Sequence, residues 1–257
     1  MSASASLPRQ VDSVLLGRLG LLAALLLAWE WLGRADEAWL SRPGLVAARL
    51  LGWMGGELWP HLATTLAEIA GGLLLGVPLG ALCGLVLGRR PVLAALLRPL
   101  VVAAYSVPLV TLAPLLILWF GLDMAPKVVL VAAVSFFLLF FTAFAGVQAL
   151  DEDGVAGLVL MGATRGEVLR KLVLPASLAW LLSGLRVALP YALVAATVGE
   201  LIAARRGVGA LLSQAASQID MTGLYAAILV LMALGALMAA GAARLEAHLM
   251  RWREAGR

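Results

Sequence analysis

Charge is what this sequence has least of. Asp, Glu, Lys and Arg make up only 13% of its 257 residues, where a soluble domain carries about a quarter. Hydrophobic residues make up 63%, and the mean hydropathy is +1.00. There is too little polar surface to coat a water-facing globule of this length, so the solvent that suits the chain is a bilayer. Cysteine is almost absent as well. Cys83, the single one, lies in an apolar run, which excludes a disulfide framework and a cysteine-based metal site. The two histidines, His61 and His248, are far apart and are expected at membrane surfaces. The net charge is +4, but the basic residues form no long run of the kind that binds nucleic acid.

Several catalytic patterns are missing too. A phosphate-cradling G-x-x-x-x-G-K-[ST] loop needs a lysine after glycine. The only lysines, Lys127 and Lys171, follow Pro126 and Arg170. Neither H-E-x-x-H nor G-x-S-x-G occurs. The chain therefore reads as a non-enzyme with no ATP chemistry of its own and no bound cofactor.

What the chain does have is long apolar runs. A span needs about 20 mostly apolar residues, and six stretches qualify: 14–33, 61–88, 97–120, 126–149, 177–203 and 223–247. The first contains a signal-like apolar stretch, but Glu30 and Arg34 follow it without a small-x-small cleavage site, so it is expected to stay as a span. Residues 1–60 then form an N-terminal segment with one span and an outer loop. Residues 61–250 form a core of five spans, interrupted by an inner connection at 150–175. With the N-terminus inside, Arg9, Arg18, Arg89, Arg90, Arg98, Arg165, Arg170, Lys171, Arg244, Arg251, Arg253 and Arg257 face the cytoplasm. Arg34, Arg42, Arg49, Lys127, Arg205 and Arg206 face out. That bias places both termini in the cytoplasm. Trp29, Trp31, Trp53, Trp59 and Trp119 fall near the outer ends of spans, where indoles settle.

Some positions inside the spans stand out. Gly72, Gly76, Gly80, Gly84 and Gly88 recur every four residues, on one helix face. Such a row serves close packing either within one subunit or at a subunit interface. Pro78 lies in the same row and is a candidate kink. Pro108 and Pro114 favour a break in the third span, and broken helices at membrane depth face protein or a water-filled path. Ser106 and Thr111 would supply polar groups to that path. Arg186 either faces a central cavity, where it would attract an anion, or caps helix carbonyls or pairs with an acid on a neighbouring span. Glu68 is expected near the outer interface. Glu200 is expected near the outer end of its span with Arg205 and Arg206, as part of a gate, a docking face or a surface ion pair.

The connection at 150–175 is unusual for a linker. Asp151, Glu152 and Asp153 suit the positive end of a helix. Gly162 suits its termination. Thr164-Arg165-Gly166-Glu167 has the spacing of a capping box, Val168, Leu169, Leu172 and Val173 recur at helical spacing, and Pro175 is expected to end the second helix. The apolar Leu158, Leu160, Met161, Val168 and Leu172 suit either docking to a cytoplasmic protein or lying in lipid headgroups.

Gly162-Ala163-Thr164, Leu174-Pro175-Ala176 and Gly184-Leu185-Arg186 resemble the cytoplasmic loop and following helix of ATP-binding-cassette (ABC) importer permeases. The similarity covers about residues 60–245. It points to the sulfonate, taurine and nitrate branch through Pro114–Leu122, Glu200-Leu201-Ile202 and Arg206-Gly207-Val208-Gly209. The resemblance implies an all-α, polytopic, type I importer (MetI-like) bundle in the inner membrane. It also implies two ATPase subunits that bind ATP and Mg, a second permease copy, and an external solute-binding protein. In that family the loop couples to the ATPase. The coupling residues here would be Asp153, Ala156, Gly162, Ala163, Thr164, Arg165, Glu167 and Pro175. Ala156 stands where the family motif has glutamate, so the acidic anchor is missing, and Glu152, Asp153 or Glu167 would have to replace it. Ser106, Pro108, Thr111, Arg186 and Glu200 are the candidate path or gate residues. The competing reading is a stand-alone channel or secondary transporter, which would place ionisable residues at mid-membrane.

Overall fold

A backbone in lipid has to satisfy its hydrogen bonds within itself, and a chain this apolar does so as helices. In the computed structural model described here, residues 7–35, 37–149 and 152–250 are described, and every regular element among them is helical. Asp151, Arg251, Arg253 and Arg257 lie outside the described residues. So do the side chains of Arg9, Glu152, Asp153, Arg165, Leu169, Val173 and Pro175.

The order is α1 (Leu7–Ala35), α2 (Glu37–Leu40), α3 (Pro43–Met54), α4 (Leu58–Gly88), α5 (Pro91–Ser106), a 3₁₀ turn (Leu109–Leu112), α6 (Ala113–Phe120) and α7 (Ala125–Gln148). Then come α8 (Glu152–Leu160), α9 (Arg165–Val168), a π-helical turn (Leu169–Val173), α10 (Leu174–Ala203), α11 (Val208–Ser217) and α12 (Met221–Leu249). Among the described residues α4, α7, α10 and α12 are each long and apolar enough to cross a membrane. The α5–α6 pair makes a fifth span if counted as one. The first expected span is also a helix, α1, whose Leu19, Leu21, Leu22, Leu25 and Leu27 are exposed, as a lipid-facing surface requires.

The centre of the bundle is α7, held between α4 and α10. The glycine row of α4 is the reason α4 fits there. A β-carbon on Gly76 would lie 2.3 Å from Ala132 O, one on Gly80 2.3 Å from Phe136 O, and one on Gly84 2.5 Å from Phe140 O. The row therefore packs backbone against backbone within one subunit, and the subunit-interface alternative is set aside. α4 continues as one helix through Pro78. On the other side of α7, Gly146 lies against Trp180 and Gly184 against Thr142, where an added β-carbon would meet atoms at 2.6 and 2.3 Å. Without strong hydrophobic driving force between helices in lipid, this closeness is what gains van der Waals contact. Phe140, Leu139, Leu130 and Val131 of α7 are fully buried as a result.

Two sequence expectations need correction. The third span begins at Pro91 rather than at 97. The break itself falls at Pro108 as expected: the chain turns by 73° between α5 and α6, because Pro108, extended at φ −62° and ψ 100°, has no amide with which to continue the ladder. Pro175 does not end the short helix either. The chain passes from α9 through the π turn directly into α10. Pro175 lies in the first turn of α10, where a missing amide costs nothing.

Away from the centre, α3 lies across the start of α12. Arg49 Nη1 donates to Asp220 Oδ2 at 2.5 Å, and Asp220 also caps α12 by accepting the Gly223 amide at 3.0 Å. Burial pushes the Asp220 carboxyl up, but the Gly223 amide and Arg49 outweigh it and hold the group below its ordinary value. Trp53, expected at the interface, is buried against Val46, Leu211 and Ala226. Trp29 is half-buried and packs on Tyr225.

Candidate functional site

The bundle has two ends of different character. At one end α8 and α9 form a helix–turn–helix between α7 and α10. The turn is built by Gly162, at φ +85°. That left-handed geometry lets the Gly162 amide reach Val159 O at 2.9 Å and the Ala163 amide reach Leu158 O at 3.0 Å, which satisfies the last carbonyls of α8. The next helix starts with a reciprocal box. The Thr164 amide donates to Glu167 Oε2 at 2.9 Å, and the Glu167 amide donates to Thr164 Oγ1 at 3.3 Å. Lys171 Nζ adds a contact to Glu167 Oε1 at 3.1 Å. The Thr164 amide, then Lys171, hold the exposed Glu167 carboxyl down at about 2.

This stiff, fully capped element presents apolar side chains outward. Leu160 is 89% exposed and Met161 85%. Val168 is buried and anchors the second helix to the bundle. Ala156, at the position of the missing glutamate, is an exposed residue of α8, and Ala163 is half-buried at the turn.

The other end contains a buried polar node. Glu200, in the last turn of α10, is 0% exposed, which excludes the surface ion pair among the alternatives for it. Its Oε1 accepts the Thr65 hydroxyl at 2.6 Å and its Oε2 accepts the Gly209 amide at 2.6 Å. Thr65 Oγ1 in turn accepts the Val208 amide at 2.9 Å. His61 Nδ1, one turn earlier on α4, lies 2.8 Å from Gly207 O and 3.2 Å from its amide nitrogen. Gly207 has φ +125° and ψ 159°, a conformation open essentially only to glycine. A β-carbon there would fall 2.2 Å from Glu200 Cδ. One carboxylate thus ties α10 and the start of α11 to α4.

Glu68, expected near the interface, is only 1% exposed. It faces Lys127 of α7, whose Nζ is 3.8 Å from Glu68 Oε1 and donates to Leu122 O at 3.1 Å and Asp123 O at 3.0 Å. Lys127 is therefore buried, in the first turn of α7 at the end away from the α8–α9 loop. His61, Thr65 and Glu68 follow i, i+4, i+7 spacing, so one face of α4 supplies all three. An open cavity of about 930 Å³ adjoins this node, lined by Thr64, Glu68, Asp123, Lys127, Arg205 and Arg206.

The remaining candidates do not join the node. Arg186 is exposed and pairs with Glu246 of α12 at 3.5 Å, the acid-pairing alternative. Ser106 Oγ donates to Val102 O at 2.8 Å and Thr111 Oγ1 to Pro108 O at 2.7 Å, so both hydroxyls close on their own backbone beside the break at Pro108. Among the described residues, no group of three or more His, Cys, Asp or Glu could hold a metal ion.

A stiff loop with an apolar tip, hung on a close-packed bundle, is a permease-like arrangement, and comparison with known proteins decides it. Residues 76–251 match the family described as binding-protein-dependent transport system inner membrane component. The chain belongs to that family. The formylaminopyrimidine transport permease protein ThiX of Halalkalibacterium halodurans is 34% identical over 194 residues, covering 76% of this chain and 78% of that protein. The taurine transport system permease protein TauC of Escherichia coli is 30% identical over 199 residues, 77% and 72% of the two chains. A solved inward-facing MetNI methionine ABC transporter shares the fold, with a TM-score of 0.59 over 74% of this chain and 93% of that one at 20% identity.

The chain is thus the membrane-spanning permease of an ABC importer, a transport subunit and not an enzyme. Membership in this family implies ATPase partners and a solute-binding protein. The stand-alone channel or secondary transporter reading gives way to it.

Proposed function

We propose that this permease imports a small solute carrying an anionic group, of the sulfonate, taurine or nitrate kind. It does so by alternating access, as a pair of identical copies with both termini in the cytoplasm. ATP and Mg are held by two partner ATPases, and none of the chemistry resides in this chain. The ATPases grip the α8–α9 element, and Ala156, Gly162, Ala163, Thr164 and Glu167 shape or face that contact. Their movement tilts the spans, and the broken α5–α6 span with Ser106, Pro108 and Thr111 borders the path.

The observation that carries this reading is the outward presentation of Leu160 and Met161 on a doubly capped turn. Apolar groups this exposed on a stiff support suit a protein partner. The anionic character of the solute is supported by TauC, a taurine permease by name. It is supported too by Arg205 and Arg206, exposed at the far-end cavity, where they outnumber Asp123 once Glu68 is paired with Lys127.

Reconstitution with its ATPase and binding protein tests the reading. Taurine or an alkanesulfonate should accumulate in proteoliposomes only with ATP on the ATPase side. Uptake driven by a proton or sodium gradient without ATP would refute it.

A further inference from the structure

At the end of the bundle that holds α8 and α9, the turn between α4 and α5 is basic and unpaired. Arg89 and Arg90 are exposed, and neither guanidinium has a hydrogen-bond or ion-pair partner among the described residues, their backbones alone being bonded, the amides to Val86 O and Leu87 O. Arg98, two turns along α5, also lacks an acid partner there, and its guanidinium stands 5.4 Å over the Phe144 ring. Beside these arginines runs an apolar groove of about 440 Å³, lined by Val86, Arg90, Pro91, Val92, Leu93 and Leu96. Val92 is 85% and Leu96 68% exposed, and Ala94 is the single buried residue of α5. The groove is apolar along its length and cationic at its mouth.

We propose that this groove is a binding site for one anionic phospholipid. The phosphodiester headgroup would sit on Arg89 and Arg90, and an acyl chain would lie along Val86, Val92 and Leu96. Charge complementarity selects this occupant: guanidinium groups without carboxylate partners pair readily with phosphate, and a basic pocket between membrane helices is a site of that kind. Chain contact alone would hold any lipid, so headgroup charge supplies the selectivity. The lipid would pack against α5, the helix that leads to the break at Pro108, and so would bias the position of the broken span. The orientation proposed above determines only which leaflet supplies the lipid, and the test below does not depend on it.

Native mass spectrometry of the intact permease in detergent, titrated with dioleoyl-phosphatidylglycerol or dioleoyl-phosphatidylcholine, reads the site directly. The first should be retained on the order of tenfold better as a single adduct. The double variant R89Q/R90Q should lose that preference, while R244Q, which removes an exposed arginine elsewhere, should keep it. L96S should weaken retention of both lipids. Inorganic phosphate should not displace the lipid, which separates a lipid site from a phosphate site. Monodisperse elution of each variant establishes folding. Equal retention of the two lipids, an unchanged preference in R89Q/R90Q, or complete V92C–V92C cross-linking between copies in membranes would overturn the proposal, the last because a second chain would fill the groove.

Discussion

Glu200 and Gly207 occupy one small volume: the glycine has no side chain because the carboxylate carbon stands where its β-carbon would be, 2.2 Å away. The pair fixes how the end of α10 meets the start of α11, and through Thr65 it fixes both to α4. The far ends of α4, α10 and α11 are thereby tied together by hydrogen bonds.

Gly207→Ala should therefore be among the most damaging single-methyl changes in the chain. It combines a conformation costing about 1–3 kcal/mol for a non-glycine residue with a clash against Glu200. The detergent-solubilised variant should unfold several degrees lower in a thermal melt. Gly157→Ala, at a half-buried position of α8 with nothing within 4 Å of the new carbon, should be neutral or slightly stabilising.

The buried ions should respond unequally. Lys127→Met leaves Glu68 without its cation and frees two loop carbonyls, and breaking a buried pair this way costs about 3–5 kcal/mol. Glu200→Ala strips acceptors from Thr65 and Gly209 and should be similarly severe. Glu68→Gln should be milder, because glutamine keeps the volume and an oxygen toward Lys127, whose ammonium also keeps the Leu122 and Asp123 carbonyls. Thermal melts of the three variants give the order.

The glycine row makes a graded prediction. Gly80→Val pushes α4 off α7, since the first added carbon already meets Phe136 O at 2.3 Å. Loss of monodispersity on size exclusion is the expected readout. Gly71→Ala, whose new carbon would meet only Val128 methyls at 3.4 Å, should elute as the parent does.

For the loop, pH gives a handle. The folded Glu167 carboxyl titrates at about 2, below its ordinary 4.5. A depressed carboxyl contributes fully above the unfolded value, and that contribution fades as pH falls from about 4.5 toward 2. The Thr164 amide, which donates to Glu167, should be protected from hydrogen exchange relative to its intrinsic rate at neutral pH and lose that protection across the acidic window. In Glu167→Ala the protection should be absent at both ends of the window.

These relationships were not equally visible in the sequence. The Thr164–Glu167 box, the Gly162 turn and the break at Pro108 are local, set by residues within a few positions of one another, so spacing alone foretold them. The node was not legible, because Thr65 and Glu200 are 135 residues apart and nothing local says which helices meet. A signal was nonetheless there: His61, Thr65 and Glu68 share one face of an apolar span, and Gly207-Val208-Gly209 follows a buried acid. Charges in such a setting rarely stand alone. The burial of Lys127 and Glu68 is illegible for a related reason. Hydropathy locates a charge along the membrane normal but not toward lipid or toward a partner. Pro175 is ambiguous because a proline that ends one helix and a proline that begins the next look the same in sequence.

In the function proposed for this permease, force enters through the exposed tip of the α8–α9 element. The most direct test is the double variant L160D/M161D, assayed for co-purification with the ATPase and for ATP-driven uptake. Neither side chain supports the fold, so the permease should remain monodisperse and melt as the parent does, while ATPase binding and uptake are both lost. A variant that still binds its ATPase and transports at the parental rate would contradict the account.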